Sequence, residues 1–127
     1  MLVGFGQDIV DARRIKQVLE RFGKRFLDRI FTEGESNYCM ARRRPELHLA
    51  ARFGAKESFV KAVGTRRGIR WIDVEVAGKG GPPKILLHGG AKKIAEKKGV
   101  EKIHLTLAHD ADLGIAGMIL EGRPSDE

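Results

Sequence analysis

Glu57 and Lys61 stand four residues apart, with Gly64 three residues further on. At roughly 100° per residue the three share one face of a helix, so an acid, a base and a bare stretch of backbone converge near its end. The plain reading of a glutamate four residues before a lysine is a surface ion pair, worth about 0.3–0.5 kcal/mol. Asp8 adds a second acid. It sits among apolar residues of an N-terminal strand pattern, where aspartate is disfavoured. There it is either the N-cap of the next helix or a metal ligand. No pair of histidines has zinc spacing, so Asp8 and Glu57 as oxygen ligands suit Mg²⁺, which takes few carboxylates and completes its octahedron with phosphate and water. His109 stands at a strand end beside a turn, where a histidine is either merely solvated or functional. Lys56 falls within the apolar stripe of Leu49, Phe53, Val60 and Val63, and there it needs a partner or an exit to water.

Charge narrows the class of partner. The chain of 127 residues carries a net +7, unevenly spread. Residues 12–29 hold a net +5 and residues 42–70 a net +7, which leaves the remainder at −5. Clustered cations in an otherwise acidic chain point to an anionic partner: nucleic acid, a phosphorylated small molecule or an acidic protein. A basic nucleic-acid-binding domain explains the charge but not Asp8 and Glu57, and aromatic residues for stacking bases are few. No apolar run approaches the ~20 residues that span a bilayer. Met1 to Val10 lacks the basic leader and cleavage site of a signal peptide. The single cysteine, Cys39, excludes an internal disulfide and suits a reducing cytoplasm.

The elements that must position these groups follow from periodicity and punctuation. Leu2 to Val10 reads as a strand, and Gly4 and Gly6 lack the third glycine of a dinucleotide fingerprint. Ala12 to Phe22 reads as a helix with Ile15, Val18, Leu19 and Phe22 on one face and Gly23 closing it. Its other face carries Arg13, Arg14, Lys16, Gln17 and Arg21. Phe26, Ile30 and Phe31 pack next. Thr32 and Glu35 have the spacing of a capping box for a short helix to about Arg42, and Pro45 suits the first turn of the long helix. Gly64 to Gly68 is a glycine-bounded turn with Arg66 and Arg67, a seat for phosphate. Arg70 to Val76 alternates as a strand and Lys84 to Leu87 pairs with it across a Gly-rich turn. Ala91 to Lys98 is a short helix. Strands around Ile103–Leu107 and Leu113–Leu120 complete the domain, the latter with Gly114, Ala116 and Gly117 small enough for close packing at a subunit contact. One domain over residues 1–121 with a frayed tail, 122–127, is expected.

Four segments together resemble the holo-[acyl-carrier-protein] synthases. Gly6-Gln7-Asp8-Ile9-Val10 is similar to their Gly-x-Asp-[Ile/Leu]-[Val/Thr] motif. Arg52 to Thr65 is similar to their Arg-Phe-Ala-x-Lys-Glu-Ala-x-x-Lys-Ala-x-Gly-Thr signature, with Gly54 and Ser58 in place of alanines. Gly81 to Leu87 and Leu105 to Ala116 resemble the family's Gly-x-Pro-x-[Ile/Val]-x-Leu segment and its His-ended strand. The resemblance implies an α+β phosphopantetheinyl transferase fold with a long helix on an antiparallel sheet. It implies transfer of 4'-phosphopantetheine from coenzyme A to a serine of acyl carrier protein, for fatty acid biosynthesis. It further implies a cytoplasmic homotrimer with active sites between subunits, without nucleic acid or membrane.

Under that resemblance Asp8 and Glu57 would hold Mg²⁺ on the pyrophosphate, and Lys61 would stabilise or protonate the departing phosphate. The serine proton would go to a water on the metal or to Asp8, ahead of Glu57. Arg44, Arg52, Lys61, Gly64, Thr65, Pro83 and His109 would contact coenzyme A. Arg13, Arg14, Gln17, Arg21 and Arg25 would dock the acidic carrier, a salt-sensitive contact.

Overall fold

The computed structural model describes residues 1–78 and 81–124. In chain order it runs β1 (Leu2–Asp11), α1 (Ala12–Phe22), α2 (Lys24–Ile30), α3 (Glu33–Met40), α4 (Pro45–Val63), a 3-10 turn (Trp71–Asp73), β2 (Val74–Ala77), β3 (Lys84–Leu87), α5 (Gly89–Lys97), β4 (Val100–Asp110) and β5 (Leu113–Gly122). This is the α+β arrangement expected from the sequence. Three antiparallel strands form one sheet in the order β1-β5-β4, and β2 and β3 form a separate antiparallel pair.

Helix α4 is central. Pro45 opens it in the first turn, and Gly64, left-handed at φ 81°, closes it by donating its amide to Val60 O. A single apolar stripe is not what it presents. Residues are buried around most of its circumference, including Leu49, Ala50, Ala55, Lys56, Ser58, Phe59 and Val63, while Phe53 and Val60 of the expected stripe are only half-buried. Small residues let neighbours close in on most sides, so the helix is largely enclosed, with Glu57 and Lys61 on its open side.

Strand β1 lies directly on this helix. A Cβ built on Gly4 would come within 2.2 Å of Ala62 O, and one on Gly6 within 2.1 Å of Ser58 O. The two glycines thus serve close approach of strand and helix. Ser58 Oγ meanwhile donates to Gly54 O within the helix, so the hydroxyl in place of alanine is satisfied internally. Gly114 does the same on β5, where a Cβ would stand 2.5 Å from Ala51 N. Its close packing is therefore against α4, not at a subunit contact.

Other elements depart from expectation in informative ways. The cap of α1 is Asp11, whose side chain accepts from Arg13 N, so Asp8 is not a cap. Residues 24–30 form a helix of their own after the break at Gly23, which puts Arg25 on α2 rather than on α1. Thr32 and Glu35 close a full capping box on α3. The segment from Arg70 starts as a 3-10 turn, and strand geometry begins only at Val74, because Asp73 turns back to accept from Arg70 N. Of the Gly-rich turn, residues 79 and 80 lie outside the described residues, as do residues 125–127 of the tail; Gly122 ends β5.

Candidate functional site

Asp8 points from β1 toward α4, since its partner Ala116 on β5 is buried on the same face. Lys61 reaches it from the last turn of the helix: Nζ donates to Asp8 Oδ1 at 2.8 Å and to Gln7 O at 3.1 Å. An ammonium has three donors, so one remains for a substrate oxygen. The hydrogen bond from Lys61 to Asp8 raises the lysine above its usual pKa and keeps it cationic. Glu57 is half-buried one turn earlier on the same helix, and among the described residues its side chain accepts no hydrogen bond. The surface pair Glu57–Lys61 is thus replaced by a tertiary contact, Asp8–Lys61.

The donor chemistry fits a hard divalent ion. Among the described residues no cluster of three or more His, Cys, Asp or Glu side chains surrounds a common point, which disfavours a zinc-type cage. Asp8 and Glu57 offer two carboxylate ligands from adjoining elements, the donor type that Mg²⁺ takes where water and phosphate complete its shell. The ammonium of Lys61 on Asp8 Oδ1 shows that this carboxylate already accommodates a positive charge.

His109 lies in β4, on the face turned toward α4, and its ring meets His48 edge to face at 5.7 Å. His48 in turn contacts Tyr38 at 6.3 Å, and the guanidinium groups of Arg42 and Arg52 lie over the Tyr38 ring at 4.0 and 4.5 Å. Aromatic faces and cations therefore converge beside the start of α4, in a form that suits a heteroaromatic ring bearing phosphate. Burial, Arg52, His109 and Arg42 together push His48 below the ordinary histidine range. Sequence reading found His109 and Arg52 but not Tyr38, His48 or Arg42. Nothing in spacing alone links residues on three separate elements.

Arg44 is differently placed from expectation. Its guanidinium is shared between Asp112 Oδ1 at 2.8 Å and Glu46 Oε1 at 3.1 Å, so it clamps the β4–β5 turn to the start of α4. Two carboxylates already neutralise it, and a phosphate would have to compete with both. Thr65 Oγ1 accepts from Arg67 N and shapes the turn after Gly64, while Arg66 lies 3.9 Å over the Trp71 ring. Pro83 stands at the foot of β3, on the smaller sheet. On α1, Arg14, Gln17 and Arg21 are exposed, whereas Arg13 is bound by its neighbour Asp11 at 2.8 Å. A cavity of about 830 Å³, lined by Lys24, Thr32, Ser36, Arg70 and His88 among others, holds none of Asp8, Glu57 or Lys61.

Lys56, the lysine out of place in the sequence, has no exposure at all. Its Nζ donates to Glu35 Oε1 at 2.8 Å, Val74 O at 2.6 Å and Trp71 O at 3.1 Å, which uses all three donors. The Phe31 ring lies 5.5 Å away. Burial still draws Lys56 below the usual lysine range, against the pull of the Glu35 carboxylate.

Known proteins share this architecture and these segments. The family model of the 4'-phosphopantetheinyl transferase superfamily matches residues 4–116. The chain belongs to that superfamily. Within it, the chain is 44% identical over 125 residues to the holo-[acyl-carrier-protein] synthase of Anaeromyxobacter dehalogenans, covering 96% of this chain and 98% of that protein. The holo-[acyl-carrier-protein] synthase of Neisseria meningitidis superposes with a TM-score of 0.85 at 31% identity, over 95% of this chain and 99% of that one. The Bacillus anthracis holo-(acyl-carrier-protein) synthase in complex with CoA (3',5'-ADP) gives a TM-score of 0.76 at 31% identity, over 97% and 99%.

Proposed function

We infer that this protein transfers the 4'-phosphopantetheine group of coenzyme A to a serine of apo acyl carrier protein. The observation that carries the reading is the contact of Lys61 with Asp8 where β1 is pressed onto α4, beside Glu57. In the transfer the serine oxygen bonds to the β-phosphorus of coenzyme A, and the bond from that phosphorus to the bridging oxygen breaks. Adenosine 3',5'-bisphosphate departs with that oxygen. Lys61 binds Asp8 Oδ1 and leaves Oδ2 facing the substrate; the serine proton goes to a water beside that oxygen or to Asp8 itself. Because Lys61 holds its own proton firmly, its part is to neutralise charge on the departing phosphate through its third donor. Asp8 and Glu57 would hold Mg²⁺, which when bound neutralises the pyrophosphate and polarises the reacting phosphorus.

The remaining assignments follow from the same reading. His109, Arg52 and the turn at Gly64 and Thr65 take the nucleotide and its phosphates, with Arg44 as a clamp beside them. Pro83 flanks the pantetheine arm. The exposed cations of α1, with Arg25 on α2, receive the acidic carrier. A trimer with sites between subunits rests on the family resemblance, and the outer face of the larger sheet offers it a contact surface: Phe5 and its register partner Ile119 are 66% and 48% exposed, and Ile9 on the same face 64%. Apolar side chains grouped on one exposed sheet face mark an interaction surface. A role in supplying fatty acid synthesis, in the cytoplasm where coenzyme A and its carrier meet, completes the reading.

The test is an intact-mass measurement on apo acyl carrier protein incubated with the enzyme, coenzyme A and Mg²⁺. One phosphopantetheine-sized increment is expected with wild type, and a rate lower by about 10²-fold or more with Glu57→Gln or after chelation. No increment with wild type would sink the activity, and undiminished transfer by Glu57→Gln would sink the site.

A further inference from the structure

Strand β2 is short and, among the described residues, has one strand neighbour, β3. A lone two-stranded ribbon is marginal in water, and its free edge presents unpaired backbone groups. Here that edge is filled by side chains. Val74 O accepts from Lys56 Nζ, and Val76 N donates to Glu35 Oε2 at 2.9 Å. Alternate residues of a strand turn their backbone groups to the same edge, so these two bonds stand where a third strand would pair. The opposite edge faces β3, and His88 N donates to Asp73 O in line with that pairing.

The rest of the network ties the same strand to its surroundings. Glu35 Oε1 accepts from both Lys56 Nζ and Thr32 N, so a single carboxylate serves the capping box of α3, the buried lysine and the edge of β2. Glu75, between the two bonded residues of β2, accepts from Thr32 Oγ1 and meets His88 Nε2 at 2.9 Å. Packing alone would not demand charges here. Apolar residues of similar volume usually stabilise a core as well as a buried ion pair does. What apolar residues lack is donors and acceptors spaced to match a strand edge.

We propose that Lys56 and Glu35 form a positioning pair that fixes the β2–β3 hairpin, and with it Pro83, relative to the helix carrying Glu57 and Lys61. Neither residue touches coenzyme A; they act through the hairpin. The inference rests on the reading that this hairpin flanks the pantetheine arm.

The experiment compares wild type, Lys56→Met and Glu35→Gln by steady-state kinetics and by hydrogen exchange at the Val76 amide. Glutamine keeps the shape of Glu35 but offers one acceptor oxygen where three donors (Lys56 Nζ, Thr32 N and Val76 N) share two, so this variant keeps the test open where Lys56→Met fails to fold. The expected pattern is a KM for coenzyme A raised about tenfold in Lys56→Met and about threefold in Glu35→Gln, with kcat and the KM for carrier nearly unchanged. The Val76 amide should exchange faster in both. A purely structural role predicts the reverse split: a smaller folded fraction lowers kcat and leaves both KM values alone, and that result in Glu35→Gln overturns the proposal. Faster exchange with an unchanged KM for coenzyme A also overturns it, and removes Pro83 from the coenzyme site while leaving the transfer activity standing. Absence of transfer by wild type would instead fail the activity itself.

Discussion

Two lysines of one helix, five residues apart, are put to opposite uses. Lys56 is wholly enclosed, with every donor committed to protein oxygens. Lys61 has a half-exposed side chain, spends two donors on Asp8 and Gln7, and keeps one. The first can only hold structure in place; the second is free to meet a substrate. Their anions differ likewise. Glu35 is saturated by Lys56, Thr32 and Val76, whereas Asp8 retains an oxygen for chemistry. The lesson is that a charged pair near an active site is judged by its spare donors and acceptors, not by its proximity.

The largest effects should come from exchanging these roles. Lys61→Met is expected to lower transfer by about 10²–10³-fold, as loss of one preorganised donor does, with unfolding free energy kept within about 1 kcal/mol because the lysine is half-exposed. Lys56→Met is expected to cost about 3–5 kcal/mol, since it strands the buried Glu35 carboxylate. Denaturant melts beside transfer assays check both, and similar losses of stability in the two variants would break the comparison. A smaller effect sharpens the boundary of the dry region. Cys39 lies in the same core as Lys56, and burial pushes its thiol up to about 11. Its alkylation at neutral pH should therefore await unfolding; rapid modification of the native protein would show that this wall admits water.

The smallest effect lies at the other end of α4. His48 is lowered by burial and by Arg52, His109 and Arg42, against the weaker pull of Glu46. Its folded form thus releases its proton at a pH where the unfolded chain still binds one. Stability from this group is complete above the ordinary histidine value and is lost as pH falls through the lowered one. His48→Phe should flatten that part of the stability curve, and an NMR titration should place His48 below a free imidazole. A normal titration for His48 would mean that the His48–His109 contact is open to solvent.

Much of this was legible in the chain itself. Pro45, the Thr32–Glu35 capping box and the glycines at positions 23 and 64 mark helix ends through local backbone physics. Asp8 stood out because an acid in a strand needs a reason; Glu57 read alone was half of an ordinary surface pair, and the segment Arg52–Thr65 carried the family resemblance. Sequence also flagged Lys56 as misplaced, though not what it meets. Its partners Glu35, Trp71 and Val74 are 21, 15 and 18 residues away, and no periodicity links them.

Sequence by itself thus determined the local elements and the residue types able to do chemistry, because caps, turns and periodicity act over a few residues. Only the tertiary structure decided which charges meet. It took Lys61 from Glu57 and gave it to Asp8, it bound Arg44 to Asp112 and Glu46, and it enclosed Lys56 with Glu35. The physical reason is the approach of β1 and β2 to α4, set by bare glycine backbone on one side and by a strand edge in need of partners on the other.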